Sequence, residues 1–260
     1  MVMGMGTERE IEMKMAAGRR IELRGSRVID LTHEMYHGMP SWPTNSRFCV
    51  EDAKLMEVDG YRLRDIHMNT HHGTHMDAPS HMLEDGEPIS SRRIRKGEID
   101  KRRLMGDGLV VDLTHKGDGE PITREDLREF EPEIRRGDML FMHTGWDLLR
   151  GMNRRYLFMW PYLSVDGAKY LVERGISLVA TEAMSIGGWG DRTPTMGPIT
   201  DTGTEVHRIL LSNGILIIEE VANLEEVLAG RRYARARFVA LPMKLRDLDG
   251  APTRVVAIVD

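Results

Sequence analysis

The chain has 260 residues, a net charge of −5, 41% hydrophobic and 30% charged residues, values of a soluble globular protein with length for a substantial core. That balance gives no electrostatic case for nucleic acid or an anionic membrane as partner, and no apolar run reaches the roughly 18 residues of a membrane span. One cysteine, Cys49, excludes an internal disulfide and suits a reducing, cytoplasmic location.

Residues 1–26 carry Glu8, Glu10 and Glu12 where an export signal needs an apolar core, so they read as an N-terminal extension, frayed or docked on a partner subunit. Residues 27–260 contain no linker and read as a single catalytic domain. A first strand is expected at 28–33. It leads into Gly38-Met39-Pro40-Ser41-Trp42-Pro43, a loop stiffened by two prolines that presents an indole, either a hydrophobic plug or a lid for a flat substrate. Residues 47–58 and 61–77 read as two strands joined at the hairpin signal Asp59-Gly60. The basic run Arg92-Arg93-Ile94-Arg95-Lys96 reads as a solvated face.

The second of those strands carries the densest chemistry. Four of the ten histidines lie between His71 and His81, and imidazole is the commonest metal ligand. On an extended strand His71, Gly73, His75 and Asp77 share a face, and the missing side chain at Gly73 leaves a gap for an ion between two imidazoles and a carboxylate. Pro79 ends the strand in a turn, with His81 just beyond. The bland alternatives are a solvated histidine-rich loop and a structural metal site.

Further along, 109–114 reads as a buried strand. Thr123 with Asp126 starts a helix, and 139–143 is a strand. The aromatic stretch 146–161 reads as a short helix with a covering segment. Ser164 caps a helix that ends at Gly175 before a strand at 176–180. Residues 185–203 form a long Gly/Pro loop, of a length that is usually functional or mobile. Thr202 to Glu205 opens a helix striped by Val206, Ile209 and Leu210 and ended by Asn213-Gly214, and a strand at 215–221 follows. His207, half-buried beside that stripe, and Glu219, a carboxylate after Ile-Leu-Ile-Ile where a strand interior should be apolar, could meet across the Asn213-Gly214 turn. A buried carboxylate needs a cation or hydrogen bonds. Late strands at 236–241 and 254–259 complete a chain in which strands outnumber helices.

The pattern His71-x-Gly73-Thr74-His75-x-Asp77-x-Pro79-x-His81 resembles the signature of the metal-dependent cyclase family, whose characterised members include bacterial kynurenine formamidase and isatin hydrolase. The resemblance takes in Asp30-Leu31-Thr32, Trp42-Pro43, His207 with Glu219, and Val239-Ala240-Leu241-Pro242-Met243, roughly residues 28–259. It implies an α/β protein of the swivelling β/β/α type, a mostly β core with flanking helices, forming a homodimer or homotetramer. It implies a zinc or manganese centre of one or two ions. His71, His75 and Asp77 are then first-ion ligands, and Asp77, His207 and Glu219 second-ion ligands. His81 is the proton carrier and Trp42 the substrate contact. The implied reaction is hydrolysis of a C–N amide bond, in a small aryl formamide such as N-formylkynurenine or a cyclic amide such as isatin, by a metal-activated water. Other cyclic amides or lactones are the alternative substrates, and a non-catalytic metal-stabilised binding protein is the alternative class. The chain departs from the family at Trp42-Pro43-Thr44-Asn45 and at Ala180-Thr181-Glu182-Ala183, where the family usually has Trp-Pro-Gly-Asp and often Gly-x-Asp-Thr. Its extra material, at the N-terminus and around 146–162, makes it longer than a typical formamidase.

Overall fold

The computed structural model describes residues 25–90, 104–188 and 201–259, together with a two-residue antiparallel ladder at Met13–Lys14 and Arg20–Ile21. The rest of the N-terminal extension, the basic run at 92–96, most of the 185–203 loop and the side chain of Thr202 lie outside the described residues. The strands are β1 (Arg27–Asp30), β2 (Cys49–Lys54), β3 (Leu63–His67), β4 (His75–Asp77), β5 (Met105–Asp112), β6 (Met139–His143), β7 (Leu178–Thr181), β8 (Leu216–Glu219), β9 (Tyr233–Pro242) and β10 (Gly250–Val259), with a minor parallel pair, Pro121–Ile122 and Tyr162–Leu163. The helices are α1 (Met56–Asp59), α2 (Arg124–Arg128), α3 (Arg154–Phe158), α4 (Val165–Arg174), α5 (Asp201–Ser212) and α6 (Leu224–Leu228).

Seven strands close into a barrel in the order β9-β5-β6-β7-β8-β4-β10, with β10 pairing back onto β9 and β1 added outside β10. This is an α/β fold with a mostly β core and few flanking helices. Strands β5, β6, β7 and β8 run parallel and read as continuous apolar runs because both faces are covered. Their side chains alternate between two cores. Val110, Phe141, Ala180 and Ile218 point into the barrel with Met76, Phe238 and Val255. Leu109, Leu140, Val179 and Ile217 point outward against Leu171 of α4 and Val206 and Leu210 of α5.

The helix ends follow local chemistry. Thr123 and Asp126 form a reciprocal capping box on α2. The Ser164 hydroxyl accepts from the Gly167 amide at the start of α4, and Gly175 ends that helix at φ +68°. Residues 146–161 hold a 3₁₀ turn, Trp146–Leu149, followed by α3, as expected.

Two expectations fail. Strands β2 and β3 pair antiparallel, but a helical turn, α1, joins them and stops at Gly60 with φ +75°, not the two-residue hairpin read at Asp59-Gly60. The strand expected to run from 61 to 77 breaks after His67, and the chain turns before resuming at His75. Gly73 sits at φ +63°, a left-handed conformation that glycine adopts without penalty and that ends any extended run.

Candidate metal centre

Strand β4 is short but its register is tightly held. Asp77 faces Ile217 and His75 faces Glu219 on β8, while Gly250 and Pro252 of β10 flank the other edge. Met76 points into the barrel, so His75 and Asp77 project to the opposite, helix-covered face. Glu219 falls on that same face because Ile218 before it points inward. This parity explains a carboxylate at the end of an apolar strand. Helix α5 covers the spot and brings His207, buried rather than half-buried at 5% exposure. The 3₁₀ turn Pro79–His81 brings His81, and the loop before β4 brings His71.

His71 therefore reaches the cluster from a turn, and the shared strand face expected for His71, Gly73 and His75 is corrected. Gly73 provides no ion gap: a Cβ there would meet the side chains of Met35 and Met39 at 3.4 Å. What Gly73 supplies is its carbonyl, which accepts the Nδ1–H of His75 at 2.8 Å. The Nδ1–H of His207 is likewise donated to the Gly203 carbonyl at 2.7 Å. Both rings then turn their Nε2 atoms toward carboxylates. His207 Nε2 lies 3.0 Å from Glu219 Oε1 and 3.6 Å from Asp77 Oδ2, and His75 Nε2 is 3.4 Å from both Asp77 Oδ1 and Glu219 Oε2. His71 Nδ1 stands 3.0 Å from Asp77 Oδ1.

Two trios of donor atoms result, His71–His75–Asp77 and Asp77–His207–Glu219, each compact enough to hold an ion and both containing Asp77. Asp77 and Glu219 are buried, and His75 Nε2 and Asp77 Oδ2 have no hydrogen-bond partner among the described residues. Buried polar atoms left unpaired are costly. Lone pairs of imidazoles aimed at carboxylates need a positive charge between them, a proton or a metal ion, and the N/O donor set fits zinc or manganese.

The ionisation behaviour follows from this crowding. Burial disfavours the His207 imidazolium, but the Glu219 bond and charge outweigh it and raise the group to about 9. His75 and His71 are also raised, burial being overcome chiefly by Asp77. Burial and the Asp77 charge oppose ionisation of Glu219, yet His207 and His75 hold it down to about 2. Asp77 is held well below the carboxylate range, with burial outweighed by His71 and His75. His81 moves the other way: burial lowers it.

The family signature is carried by the first half of this arrangement. Residues 29–187, more than half of the chain, match the family described as "Putative cyclase". The chain belongs to the cyclase family. Over 235 residues it is 27% identical to a kynurenine formamidase from Bacillus cereus, covering 90% of this chain and 98% of that one. A solved "Potential Metal-Dependent Hydrolase With Cyclase Activity" superposes with a TM-score of 0.68 at 27% identity, covering 91% and 99% of the two chains. Isatin hydrolase A from Labrenzia aggregata, bound to benzyl benzoate, gives 0.73 at 26% identity, covering 90% and 94%. These are hydrolytic enzymes, and this cyclase is an enzyme of that kind.

Trp42 of this cyclase is not among the donor groups. Its ring lies 5.8 Å from that of Trp160, tilted by 59°, beside a cluster of Trp146, Tyr156, Ala183 and Met184. The Trp160 Nε1–H is donated to the Gly187 carbonyl at 2.9 Å. One residue away, the Ile186 amide donates to Glu219 Oε1 at 2.7 Å, so the aromatic cluster and the donor cluster share one segment.

Groups that did not stand out in the sequence also meet at this centre. Asp249 Oδ2 faces His71 Nε2 at 2.9 Å and His81 Nδ1 at 3.3 Å. Glu220, at φ +55°, accepts the Tyr156 hydroxyl at 2.6 Å and lies 3.5 Å from Arg150 Nε. Its carbonyl accepts the Thr74 hydroxyl, which links Glu219's neighbour to His75's. A doubled glutamate after four apolar residues was the available signal for Glu220. Asp249 had none beyond its place in a polar turn.

Proposed function

We propose that this cyclase hydrolyses a C–N amide bond in a small aryl formamide or cyclic amide, using one or two zinc or manganese ions. His71, His75 and Asp77 would hold the first ion; His207 and Glu219, with Asp77 shared, would hold the second. The observation that carries the reading is a pair of buried atoms, His75 Nε2 and Asp77 Oδ2, that have no hydrogen-bond partner among the described residues, where the two trios meet. An ion bound there supplies Lewis acidity, which can bring the pKa of a water from 15.7 toward about 7.

The chain's own residues do the rest. The His81 ring lies 4.1 Å from that of His71, tilted by 39°, and 6.0 Å from that of His207, beside both trios. Its imidazole takes the proton of the attacking water as the water oxygen bonds to the amide carbon. It then gives that proton to the nitrogen as the C–N bond breaks, yielding an amine and a carboxylic acid, which ionises by releasing its proton to solvent. Trp42, beside Trp160, supplies the aromatic face for an aryl substrate. Similarity to kynurenine formamidase and isatin hydrolase supports formamides and cyclic amides as the first compounds to try.

Zinc- or manganese-loaded protein assayed against N-formylkynurenine, isatin, simple lactams and lactones should turn over a formamide or a cyclic amide. His81→Ala should retain metal and lose turnover. Inactivity on the whole panel would overturn the substrate class, and turnover persisting in His81→Ala would remove His81 from its role.

A further inference from the structure

Asp249 is the last residue before β10, and the fold fixes it from several sides. Its carbonyl accepts the Ala78 amide at 2.9 Å, which ties it to the turn leading into His81. Its Oδ1 accepts the Thr70 hydroxyl at 2.8 Å, and Thr70 directly precedes His71. Its Oδ2 is the atom shared by His71 Nε2 and His81 Nδ1. Gly250 completes the seat: a Cβ there would come within 2.9 Å of His71 Cε1 and 2.9 Å of the Met76 carbonyl oxygen. The His71 ring therefore occupies space that only glycine leaves open.

An ionised carboxylate only accepts hydrogen bonds, so each nitrogen facing it must carry a hydrogen. His71 faces a carboxylate on each side, so in the metal-free chain both of its nitrogens carry hydrogens; an ion would replace the one on Nδ1 beside Asp77, while Asp249 keeps the one on Nε2. With its proton on Nδ1, a neutral His81 keeps Nε2 as the basic atom. A single oxygen thus sets the tautomers of two imidazoles with different tasks. The logic is that of a carboxylate orienting a catalytic histidine, and of the carboxylates that orient metal-bound histidines.

We propose that Asp249 is the positioning carboxylate of this centre, fixing His71 as an Nδ1 metal ligand and His81 as an Nε2 base. The proposal rests on the hydrolase reading above. Asp249 touches neither substrate nor the reacting atoms in this scheme. Its trio with His71 and His81 is also compact enough to hold an ion itself, so the competing role is that of a ligand.

Asp249→Asn retains the shape and reverses part of the hydrogen bonding. Zinc affinity measured by competition with a chelator should fall by roughly tenfold to a hundredfold, with full zinc content restored at saturating metal. At that saturation kcat should remain at least about tenfold down, with KM within about twofold of the wild type, and Asp249→Glu should recover part of the loss. Affinity and kcat both within about twofold of wild type would overturn the proposal. So would the loss of one whole equivalent of zinc at saturation, which would make Asp249 a ligand. Should Asp249→Asn fail to fold, long-range ¹⁵N–¹H spectra of the wild-type protein decide, with the His81 signal identified by its loss in His81→Gln. An Nδ1–H tautomer is expected for His81, and an Nε2–H tautomer overturns the proposal. Affinity and tautomer are read without substrate, so failure of the substrate class leaves them standing.

Discussion

His75 and His207 solve one problem in the same way from different elements. Each commits Nδ1–H to a nearby carbonyl, Gly73 or Gly203, and is left with one nitrogen to aim at carboxylates. In the metal-free chain a proton fills that role. His207, raised from 6.5 to about 9, then adds stability that is complete below 6.5 and is lost as the pH rises through about 9. Glu219, depressed from 4.5 to about 2, adds stability that is complete above 4.5 and is lost as the pH falls through about 2. A metal ion must displace the histidine protons. Zinc binding near neutrality should therefore release protons into weakly buffered solution, and zinc affinity should climb with pH toward about 9. Zinc uptake with no proton release would contradict this picture of the site.

At the scale of elements, the junction of β6 and β7 shows how a buried acid can serve structure. Glu182, fully buried, accepts the His143 Nδ1–H at 2.6 Å, the Thr144 amide at 2.8 Å and hydroxyl at 3.1 Å, and the Trp146 amide at 3.0 Å. Glu182→Ala strands all these donors and should cost about 3–5 kcal/mol in chemical denaturation. Glu182→Gln should cost less, because His143 can move its remaining hydrogen to Nε2, which lies 3.3 Å from Glu225. Burial disfavours the charged His143, but Glu182 raises it overall. Its contribution is complete below 6.5 and lost as the pH rises through the raised value. The deficit of Glu182→Gln should thus be larger in mild acid than in alkali, and a deficit independent of pH would remove His143 from the account.

Most elements were legible because their signals are local. The capping pair at Thr123 and Asp126, the Ser164 cap, Gly175 and the apolar runs of β5 to β8 each depend on near neighbours. The misread region was read from the histidine spacing. Histidine spacing favoured a strand through His71, and the turn prevails because Gly73 takes a positive φ. Of the site, His75, Asp77, His207 and Glu219 stood out as residue types in unusual places. Asp249 did not, because its link to His71 spans 178 residues and exists only through the register of β10 on β4. Trp42 was legible as a presented indole, while its packing on Trp160 was not.

For the whole molecule, the barrel sets the distances and its outer face carries both trios. Phe141 and Phe238 stack inside with centroids 4.1 Å apart, while β4 closes the gap between β8 and β10 with three residues. Those three residues place Asp77 where helix α5, strand β8 and the His71 turn all converge. An ion bound at the Asp77–His207–Glu219 trio links elements far apart in sequence, so binding there should stabilise the folded chain as a unit. The central claim is that Asp77 belongs to both trios while His207 belongs to one. Elemental analysis of purified, metal-saturated and dialysed proteins tests it directly. His207→Ala should lose at most the ion of its own trio, and Asp77→Ala should lose every ion that the wild type holds, so metal content should fall further in Asp77→Ala. Equal losses in the two variants would contradict the shared carboxylate.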